Sequence, residues 1–238
     1  MIRLAALLWL ALAGTAAAAC EAVTHRGQPF TICTADPARH DIATRLSGAD
    51  GAPLGSFDAL ERETEAPILF ATNGGMYHAD RAPVGLYVED GETRRGIVTR
   101  AGPGNFGMVP NGVFCVMEER AAVIESRAFA ADPRDCVSAT QSGPMLVIDG
   151  ALHPRFLPDS DSAKFRNGVG VGPDGMVHFA ISDAPVTFHE MGTLFRDVLA
   201  TPNALFLDGS ISRLHAPALG RSDQGRAMGP ILVVTERN

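Results

Sequence analysis

The sequence is poor in several features that mark common classes of protein. Lys164 is the single lysine among 20 basic residues, and the formal net charge is −7 with no run of like charges along the chain. Proteins that bind nucleic acid need a basic patch, so we expect no nucleic-acid partner. After the first 19 residues no stretch reaches the roughly 20 apolar residues of a membrane-spanning helix, so we expect no transmembrane segment.

Motifs that hold metals and cofactors are absent from the sequence as well. The four cysteines form no Cys-x-x-Cys pair, and the seven histidines show no His-x-His or His-x-x-x-His spacing, which argues against zinc sites and thioredoxin-type redox chemistry. No Walker loop is present, and no Gly-x-Gly-x-x-Gly lies in a βαβ context. We therefore expect neither a metal nor a cofactor, and an anion site must be built locally from arginines and backbone N–H groups.

The first 19 residues have the pattern of a secretory signal peptide. Arg3 supplies a positive charge, residues 4–13 form an apolar run, and residues 16–19 are small, so cleavage is expected before Cys20. We thus expect an exported protein, periplasmic or secreted, whose domain spans residues 20–238. The alternative is a lipoprotein acylated at Cys20, although the residues before it lack the leucine that such sites usually carry.

The cysteine count fits export, because four thiols in an oxidising compartment form two disulfides by default. Neighbours in the sequence suggest the pairs Cys20–Cys33 and Cys115–Cys136. Cys20 opens one β-like run and Cys33 closes the next, and a turn at residues 27–29 separates the two runs, so a hairpin brings the first pair together. Each closed loop is worth roughly 3 kcal/mol in the chain-entropy model.

The remaining pattern predicts a single α+β domain with a mixed β-sheet core of short strands and hairpins and a few helices. Thr187 and Glu190 have the spacing of a capping box at the start of an amphipathic helix over residues 187–199. A shorter helix is expected over residues 57–64. Turn residues and apolar runs predict hairpins at 112–124 and 168–182 and interior strands at 66–72, 144–148, 204–207 and 230–235.

Several polar clusters lie where predicted strands begin or end, and these are the candidate binding residues. Asn73-Gly74-Gly75 directly follows an apolar strand, and its glycines free the backbone to turn N–H groups toward a ligand. A tight turn is the alternative. Gln141-Ser142 stands between strands, where short polar groups are costly unless each finds a partner, so we expect binding of an oxyanion or a hydroxyl there.

Charged residues occupy the other clusters. Arg166-Asn167 opens an apolar strand, and an arginine in that place serves either a carboxylate or a ligand phosphate. Asp183 stands at the tip of another strand, where it either caps local N–H groups or faces a ligand. Asp208 follows an apolar strand and precedes Ser210. This pattern is typical of a pocket floor, with a simple Asp-Gly turn as the alternative.

The order of these clusters and the amino acids in them resemble the phosphodiester glycosidase family over about residues 68–233, and most closely its small secreted bacterial members. The motifs that carry the resemblance are Asn73-Gly-Gly-Met-Tyr, Pro83-Val-Gly-Leu-Tyr, Gln141-Ser-Gly-Pro-Met-Leu, Arg166-Asn-Gly-Val-Gly, Ile181-Ser-Asp and Leu207-Asp-Gly-Ser. The resemblance implies a glycan or small-molecule substrate that carries a phosphodiester on the anomeric carbon of a sugar. Which sugar and which partner group stay open.

Such a reaction releases a phosphate monoester, a weak base, so its site needs charge neutralisation at the phosphate and a carboxylate near the anomeric carbon. We expect Asp208 or Asp183 to stabilise an oxocarbenium-like transition state or to activate water. The expected substrate-binding residues are Arg166, Gly74, Gly75 and Ser210 for the phosphate and Asn73 and Gln141 for sugar hydroxyls, with Ser142 and Asn167 beside them.

The predicted function is therefore that of an exported hydrolase that cleaves a sugar-1-phosphodiester in envelope or extracellular glycans. The alternative comes from a different class, a non-catalytic periplasmic binder of phosphorylated sugars or envelope glycans. Both need similar hydrogen-bond donors, so turnover distinguishes them.

Overall fold

The structure, a computed structural model, describes residues 19–209 and 211–237. The predicted signal peptide lies outside these residues except for Ala19. The strands in chain order are β1 (Ala19–His25), β2 (Gln28–Ala35), β3 (His40–Arg45), β4 (Ile68–Asn73), β5 (Tyr87–Glu89), β6 (Glu92–Arg95), β7 (Gly112–Val116), β8 (Ala121–Glu125), β9 (Ser138–Ser142), β10 (Met145–Ile148), β11 (Ala151–Leu152), β12 (Asn167–Val171), β13 (Val177–Ser182), β14 (Asn203–Phe206), β15 (Leu214–Ala216), β16 (Arg221–Ser222) and β17 (Ile231–Glu236). The helices are α1 (Phe57–Glu63), α2 (Ser126–Ala131) and α3 (Phe188–Thr193), which continues as a π-helical turn (Leu194–Val198), and a 3-10 turn (Pro217–Leu219).

The strands form three sheets. The first sheet has the order β1-β2-β13-β12-β14-β10-β11, the second β16-β15-β4-β17-β3, and the third β6-β5-β9-β7-β8. All the pairings between these strands are antiparallel. The α+β class is confirmed, and this pairing refines the expected mixed sheet to three antiparallel ones.

The inner faces of the three sheets enclose one hydrophobic core. Phe179 of the first sheet packs edge to face against Phe70 of the second, with ring centroids 5.4 Å apart, and against Phe114 of the third at 5.8 Å. Edge-to-face contacts are a favoured arrangement of aromatic rings because the positive edge of one ring meets the negative face of the other. One aromatic ring from each sheet therefore meets at the centre of the fold.

A helix covers the outer face of each sheet. Met191 of α3 packs with Phe206 on the first sheet, and Leu60 of α1 packs with Val233 on the second. Phe129 of α2 joins the cluster on the outer face of the third sheet. In strands such as β7 and β10, which are buried along nearly their whole length, alternating residues thus face two apolar layers, and this accounts for their near-continuous apolar runs in the sequence.

The predicted helices and hairpins are confirmed where the local signals were strong. The Thr187–Glu190 capping box forms, since Thr187 accepts from the Glu190 N–H and Glu190 accepts from the Thr187 N–H. The segment expected to be a loop before Met145 is instead the buried strand β9. The sequence also gave no signal for α2 or β3, whose segments lack a long apolar pattern.

Both predicted disulfides are present, Cys20–Cys33 and Cys115–Cys136. Cys20 and Cys33 are register partners in the β1–β2 hairpin, as the turn at residues 27–29 predicted. A sulfur that forms a disulfide offers no thiol to acylate, so the lipoprotein alternative at Cys20 is not supported. Within residues 19–209 and 211–237, no helix is both long and apolar enough to cross a membrane.

Candidate active site

One strand from each of the three sheets begins or ends beside a short loop that runs from Asp208 to Arg213. Asn73 is the last residue of β4 in the second sheet, Asn167 the first of β12 in the first sheet, and Ser142 the last of β9 in the third. All three side chains are buried. Buried polar groups must find partners within the protein, and these groups find them in the loop and in one another.

The side chains of Asn73 and Asn167, which we call the asparagine pair, hold both ends of this loop. The Asn167 Oδ1 accepts from the Asp208 N–H at 3.1 Å, and the Asn73 Oδ1 accepts from the Arg213 N–H at 2.9 Å. The Asn167 Nδ2 donates to the Asn73 Oδ1 at 3.0 Å, so the two amides are joined. The pair therefore fixes the backbone of the residue at each end of the loop.

Further buried hydroxyls reinforce the same loop. Thr72 Oγ1 donates to the Arg213 carbonyl at 2.8 Å and accepts from Asn167 Nδ2 at 3.0 Å. Ser142 Oγ donates to the Leu207 carbonyl just before the loop. Inside the loop, Ser212 Oγ donates to the Asp208 carbonyl at 2.8 Å. Both the N–H and the carbonyl of Arg213 are thus held by residues of β4.

Two adjoining cavities flank the loop. One, the Asp208 cavity, has a volume of about 470 Å³ and the other, the Asp183 cavity, about 530 Å³. Ile211 and Arg226 line both cavities, so together they form one cleft. The Asp208 cavity is also lined by Tyr77, His78, Ala79, Arg81, Asp208 and Ala227; polar and charged residues of the Asp183 cavity include Asp183, Ser212, Arg213, Arg221, Asp223 and Gln224.

Arg213 supplies a cation to the cleft. The residue is 7% exposed and lines the Asp183 cavity, and within the described part of the chain its guanidinium makes no hydrogen bond or ion pair. Burial lowers the pKa of Arg213, while the nearby charges of Tyr77 and Asp223 act in the opposite direction. Arginine stays protonated in proteins, so this guanidinium is a positive charge available to an anionic ligand.

Tyr77, in the wall of the Asp208 cavity, feels the charges of both Asp208 and Arg213. Burial raises the pKa of Tyr77, and the charge of Asp208 raises it further, while Arg81, Arg213 and Arg226 lower it. The Arg81 guanidinium lies 5.4 Å from the centre of the Tyr77 ring. The Asp208 carboxylate and the guanidinium groups of Arg81 and Arg226 line one cavity with Tyr77, so this part of the cleft is polar and holds charges of both signs.

Asp183 belongs to an ion-pair cluster in the adjoining cavity. Arg221 bonds to the Asp183 Oδ1 at 2.7 Å and to both oxygens of Asp223 at 3.0 and 2.9 Å. The second oxygen of Asp183 accepts from Thr31 Oγ1 at 2.8 Å. Although burial lowers the pKa of Arg221, its bonds to Asp223 and Asp183 outweigh burial and raise it. Both oxygens of Asp183 are therefore already engaged.

The structure does not bring Arg166 into the cleft, so its expected phosphate contact is corrected. Arg166 is 2% exposed, and its guanidinium donates to the carbonyls of Val186 at 2.8 Å and Ser162 at 2.9 Å. The guanidinium also stacks 3.7 Å from the centre of the Phe188 ring. Burial lowers the pKa of Arg166 to about 10. Carbonyl oxygens and an aromatic face replace the anion that an arginine at a strand start was expected to serve.

The backbone donors of Gly74 and Gly75 are also occupied. The Gly74 N–H donates to the Pro230 carbonyl at 2.7 Å and the Gly75 N–H to Thr140 Oγ1 at 3.1 Å. A Cβ at Gly75 would collide with the Thr140 side chain and with the backbone of Gln141, both in β9, so this glycine allows close packing. The expected phosphate contacts of the two N–H groups are therefore corrected as well.

Gln141 and Ser142 are buried hydrogen-bonding residues rather than ligand contacts. The Gln141 side chain accepts from the N–H groups of Leu86 at 2.9 Å and Val98 at 3.0 Å and donates to Ser126 Oγ at 2.8 Å. With its donors and acceptors used inside the protein, it has none left for a sugar hydroxyl. The expected role of Asn73 as a reader of sugar hydroxyls is likewise replaced by its bonds to the loop.

Of the predicted residues, the structure brings Asn73, Asn167 and Asp208 together and places Asp183 in the adjoining cavity, while Ser210 lies outside the described residues. Sequence reasoning missed Arg213, although it lies only five positions after Asp208. Other charged or aromatic residues of the cleft that it missed include Tyr77, Arg81, Arg221, Asp223 and Arg226. Among residues 19–209 and 211–237, no group of three or more His, Cys, Asp or Glu side chains is arranged to hold a metal ion.

Comparison with known proteins finds relatives both by sequence and by structure. The chain is 32% identical over 184 residues to the uncharacterized protein YigE of Escherichia coli strain K12, a match that covers 76% of this chain and 72% of that protein. The catalytic domain of zebrafish N-acetylglucosamine-1-phosphodiester alpha-N-acetylglucosaminidase, solved in a form auto-inhibited by its pro-peptide, has a TM-score of 0.65 at 14% identity, over 92% of this chain and 82% of that one. A hypothetical protein from Synechocystis has a TM-score of 0.60 at 14% identity, over 92% of this chain and 61% of that one.

The two structural likenesses, at this identity, show the shared fold. Family membership comes from the sequence, because the model of the phosphodiester glycosidase family matches residues 67–235, which include the whole cleft loop and the asparagine pair. This chain therefore belongs to the phosphodiester glycosidase family.

Proposed function

We propose that this protein is an exported hydrolase that cleaves the bond between the anomeric carbon of a sugar and the oxygen of a phosphodiester. The observation that carries the proposal is the pair of charged residues on one loop, the Asp208 carboxylate in one cavity and, in the other, the Arg213 guanidinium, which no described residue engages in a hydrogen bond or ion pair. Family membership and the zebrafish relative, whose name gives an N-acetylglucosamine-1-phosphodiester as its substrate, support the same class of reaction. Two disulfides fit an oxidising, exported location.

The cleft has the charges that this chemistry needs. Breaking the bond to the anomeric carbon releases a phosphate monoester whose second pKa is about 6. Such a leaving group needs little protonation, but a second negative charge develops on it as the bond breaks. Arg213, with Arg226 at the junction of the two cavities, is placed to neutralise that charge. Preorganised cations at the point where charge develops make the largest single contribution in many enzymes.

Asp208 is the proposed reacting carboxylate. It lines the cavity in which the sugar ring would lie, where its negative charge stabilises an oxocarbenium-like transition state or accepts the proton of the attacking water. Asp183, with both oxygens bonded to Arg221 and Thr31, is assigned to the surroundings of the leaving group instead. The asparagine pair positions Asp208 and Arg213 but does not touch the substrate in this scheme.

The test is hydrolysis of a set of hexose and N-acetylhexosamine 1-(methylumbelliferyl phosphate) diesters, with a phosphatase added to release the fluorophore. We expect turnover of at least one sugar, with kcat lowered about 10³-fold by Asp208→Asn and about 10²-fold by Arg213→Ala. Asp197→Asn is the matched control, because Asp197 is an exposed carboxylate paired with Arg196 outside the cleft, and it should keep wild-type kinetics.

A non-catalytic binder gives a different result in the same experiment. Its melting temperature rises with a sugar phosphate, but no diester in the set yields product with the wild-type protein. Wild-type rates in both cleft variants would remove Asp208 and Arg213 from the mechanism.

A further inference from the structure

A serine, a histidine and a glutamate lie next to one another on the outer face of the second sheet. Ser222 is in β16, His215 is in β15, and Glu61 is in α1, the helix that covers this face. The Ser222 Oγ lies 3.1 Å from the His215 Nδ1, and the His215 Nε2 lies 3.4 Å from the Glu61 Oε1. The imidazole therefore has a hydroxyl at one nitrogen and a carboxylate at the other.

This group of three residues, which we call the Ser222 triad, faces away from the cleft. Successive side chains of a strand point to opposite faces of its sheet. Leu214 belongs to the inner core, so His215 points outward, where its ring centre lies 5.5 Å from that of Phe57 in α1. Ser222 is the register partner of His215 and shares its face, while the residues on either side of Ser222 line the Asp183 cavity. The Ser222 triad is thus a site separate from the cleft.

Burial determines which nitrogen of His215 carries the proton. The residue is 5% exposed, and its Nε2 is buried and forms no hydrogen bond with the described residues, although the Glu61 carboxylate lies close to it. A carboxylate has only acceptor oxygens, so its charge favours a proton on Nε2 over a lone pair there. The other nitrogen, Nδ1, is then the acceptor and takes the hydrogen bond of the Ser222 hydroxyl. His215 is therefore oriented as a base toward Ser222.

The backbone at Ser222 adds a hydrogen-bond donor beside the hydroxyl. β16 is an edge strand of the second sheet, and Ser222 is exposed. The Asp223 N–H donates to the Leu214 carbonyl at 3.0 Å, and because hydrogen-bonded pairs alternate along an antiparallel ladder, the Ser222 N–H is directed at the open edge. In serine proteases the N–H of the nucleophilic serine forms part of the oxyanion hole. The Ser222 N–H is placed to act in the same way on a carbonyl group that its hydroxyl attacks.

We infer that Ser222 is the nucleophile of a second activity, the hydrolysis of esters of short acyl groups such as acetate, with His215 as its base. Glu61 is a positioning residue, which orients the imidazole and favours its charged form. Because Ser222 is exposed and lines neither cavity of the cleft, a long acyl chain would gain no pocket there, so the substrate class is an ester of a small acyl group.

The two steps of this reaction follow from the contacts. In the first, the Ser222 Oγ bonds to the acyl carbon, its proton passes to the His215 Nδ1, and the alcohol leaves with that proton. In the second, the oxygen of a water molecule bonds to the acyl carbon and gives one proton to the same nitrogen. The proton then returns to the Ser222 Oγ as the acyl–serine bond breaks, so the carboxylic acid is released and the hydroxyl is restored.

Labelling of the full wild-type chain tests the nucleophile. With phenylmethanesulfonyl fluoride, the serine oxygen bonds to sulfur as fluoride leaves, and peptide mass spectrometry measures the modified fraction of each serine over time. We expect Ser222 to react at least about 10²-fold faster than Ser162, an exposed serine of the same chain, and to lose this advantage in urea. Equal rates for the two serines in the folded protein would overturn the inference.

Hydrolysis of 4-nitrophenyl acetate tests the roles of Ser222 and Glu61. Ser222→Ala should lower kcat/KM at least about 10²-fold. Glu61→Gln should lower it roughly tenfold, because an amide no longer favours the charged imidazole. Glu65→Gln is the matched control, since Glu65 is an exposed carboxylate just beyond the end of α1, and it should keep wild-type kinetics. Ester hydrolysis that Ser222→Ala leaves unchanged would refute the second activity.

The phosphodiester assay separates this inference from the proposed function. Ser222→Ala should hydrolyse the fluorogenic diesters at the wild-type rate, and Asp208→Asn should hydrolyse the acetate ester at the wild-type rate. If no diester is hydrolysed but the ester is hydrolysed in a Ser222-dependent way, the proposed function fails and the inference stands. Loss of both activities in a Ser222→Ala protein that circular dichroism shows to be folded would overturn the separation of the two sites.

Discussion

Replacing Asn167 with alanine tests whether the asparagine pair holds the cleft loop in its working geometry. The Asn167 amide accepts from the Asp208 N–H and donates to Thr72 and to Asn73. Its loss removes about three neutral hydrogen bonds, each worth about 1 kcal/mol, and leaves buried polar groups unpaired. We therefore expect the free energy of unfolding to fall by about 3–4 kcal/mol, with the chain still folded at 20 °C.

The effect on activity should exceed the effect on folding at that temperature. Without Asn167 the start of the loop is free to shift, and a displacement of the reacting groups by about 1 Å can cost about 10²-fold in rate. Because the Asn167 side chain does not contact substrate in the proposed scheme, kcat should fall about 10²-fold while KM changes little. Urea unfolding followed by circular dichroism gives the stability, and the fluorogenic diester assay gives the two kinetic constants.

A surface asparagine provides the control for this measurement. Asn203 accepts from the Asp149 N–H at 3.1 Å and lies outside the cleft, so Asn203→Ala should cost well under about 1 kcal/mol and leave kcat unchanged. A folded Asn167→Ala protein with wild-type kcat would refute the positioning role, as would a loss confined to KM.

Two further predictions concern stability. Burial lowers the pKa of His178, and the charge of Asp174 partly opposes this effect. The unfolded chain therefore takes up a proton near pH 6.5 that the folded protein resists, and the free energy of unfolding should fall as the pH drops from about 6.5 to 5. In urea titrations, His178→Gln should reduce that fall. An unchanged pH dependence would contradict this reasoning. The double variant Cys115→Ala/Cys136→Ala opens a loop with a sequence separation of 21. It should lower the free energy of unfolding by at least about 3 kcal/mol, while kcat at 20 °C stays the same. A double variant as stable as the wild-type protein would show that this disulfide does not restrict the unfolded chain.

The parts of the fold that sequence reasoning predicted rest on local signals. The Cys20–Cys33 disulfide follows from a hairpin whose turn sets the register of β1 and β2, and α3 follows from a capping box with apolar residues at helical spacing. Family resemblance likewise identified the loop that carries Asp208. In each case the deciding residues lie within a short stretch of sequence.

The parts of the fold and of the cleft that the sequence did not predict depend on partners that are distant in the chain. Gln141 is a polar residue of a kind common in loops, and the sequence therefore suggested a loop. In the structure it lies in the buried strand β9, where its side chain accepts from the N–H groups of Val98 and Leu86, 43 and 55 positions away. Arg166 was expected to hold an anion because arginine usually does, whereas carbonyl oxygens and Phe188 surround it in the structure. Arg221 and Arg226 lie in a segment without a recognisable pattern, so only the assembly of the three sheets places them in the cleft.

The proposed chemistry is tested most directly by hydrolysing a sugar-1-phosphodiester in water enriched in oxygen-18. Attack at the anomeric carbon, as we propose for the cleft that contains Asp208 and Arg213, puts the label in the hydroxyl of the released sugar and none in the phosphate monoester. Label in the phosphate, which requires attack at phosphorus, or the same rate in Asp208→Asn as in the wild-type protein, would contradict the account.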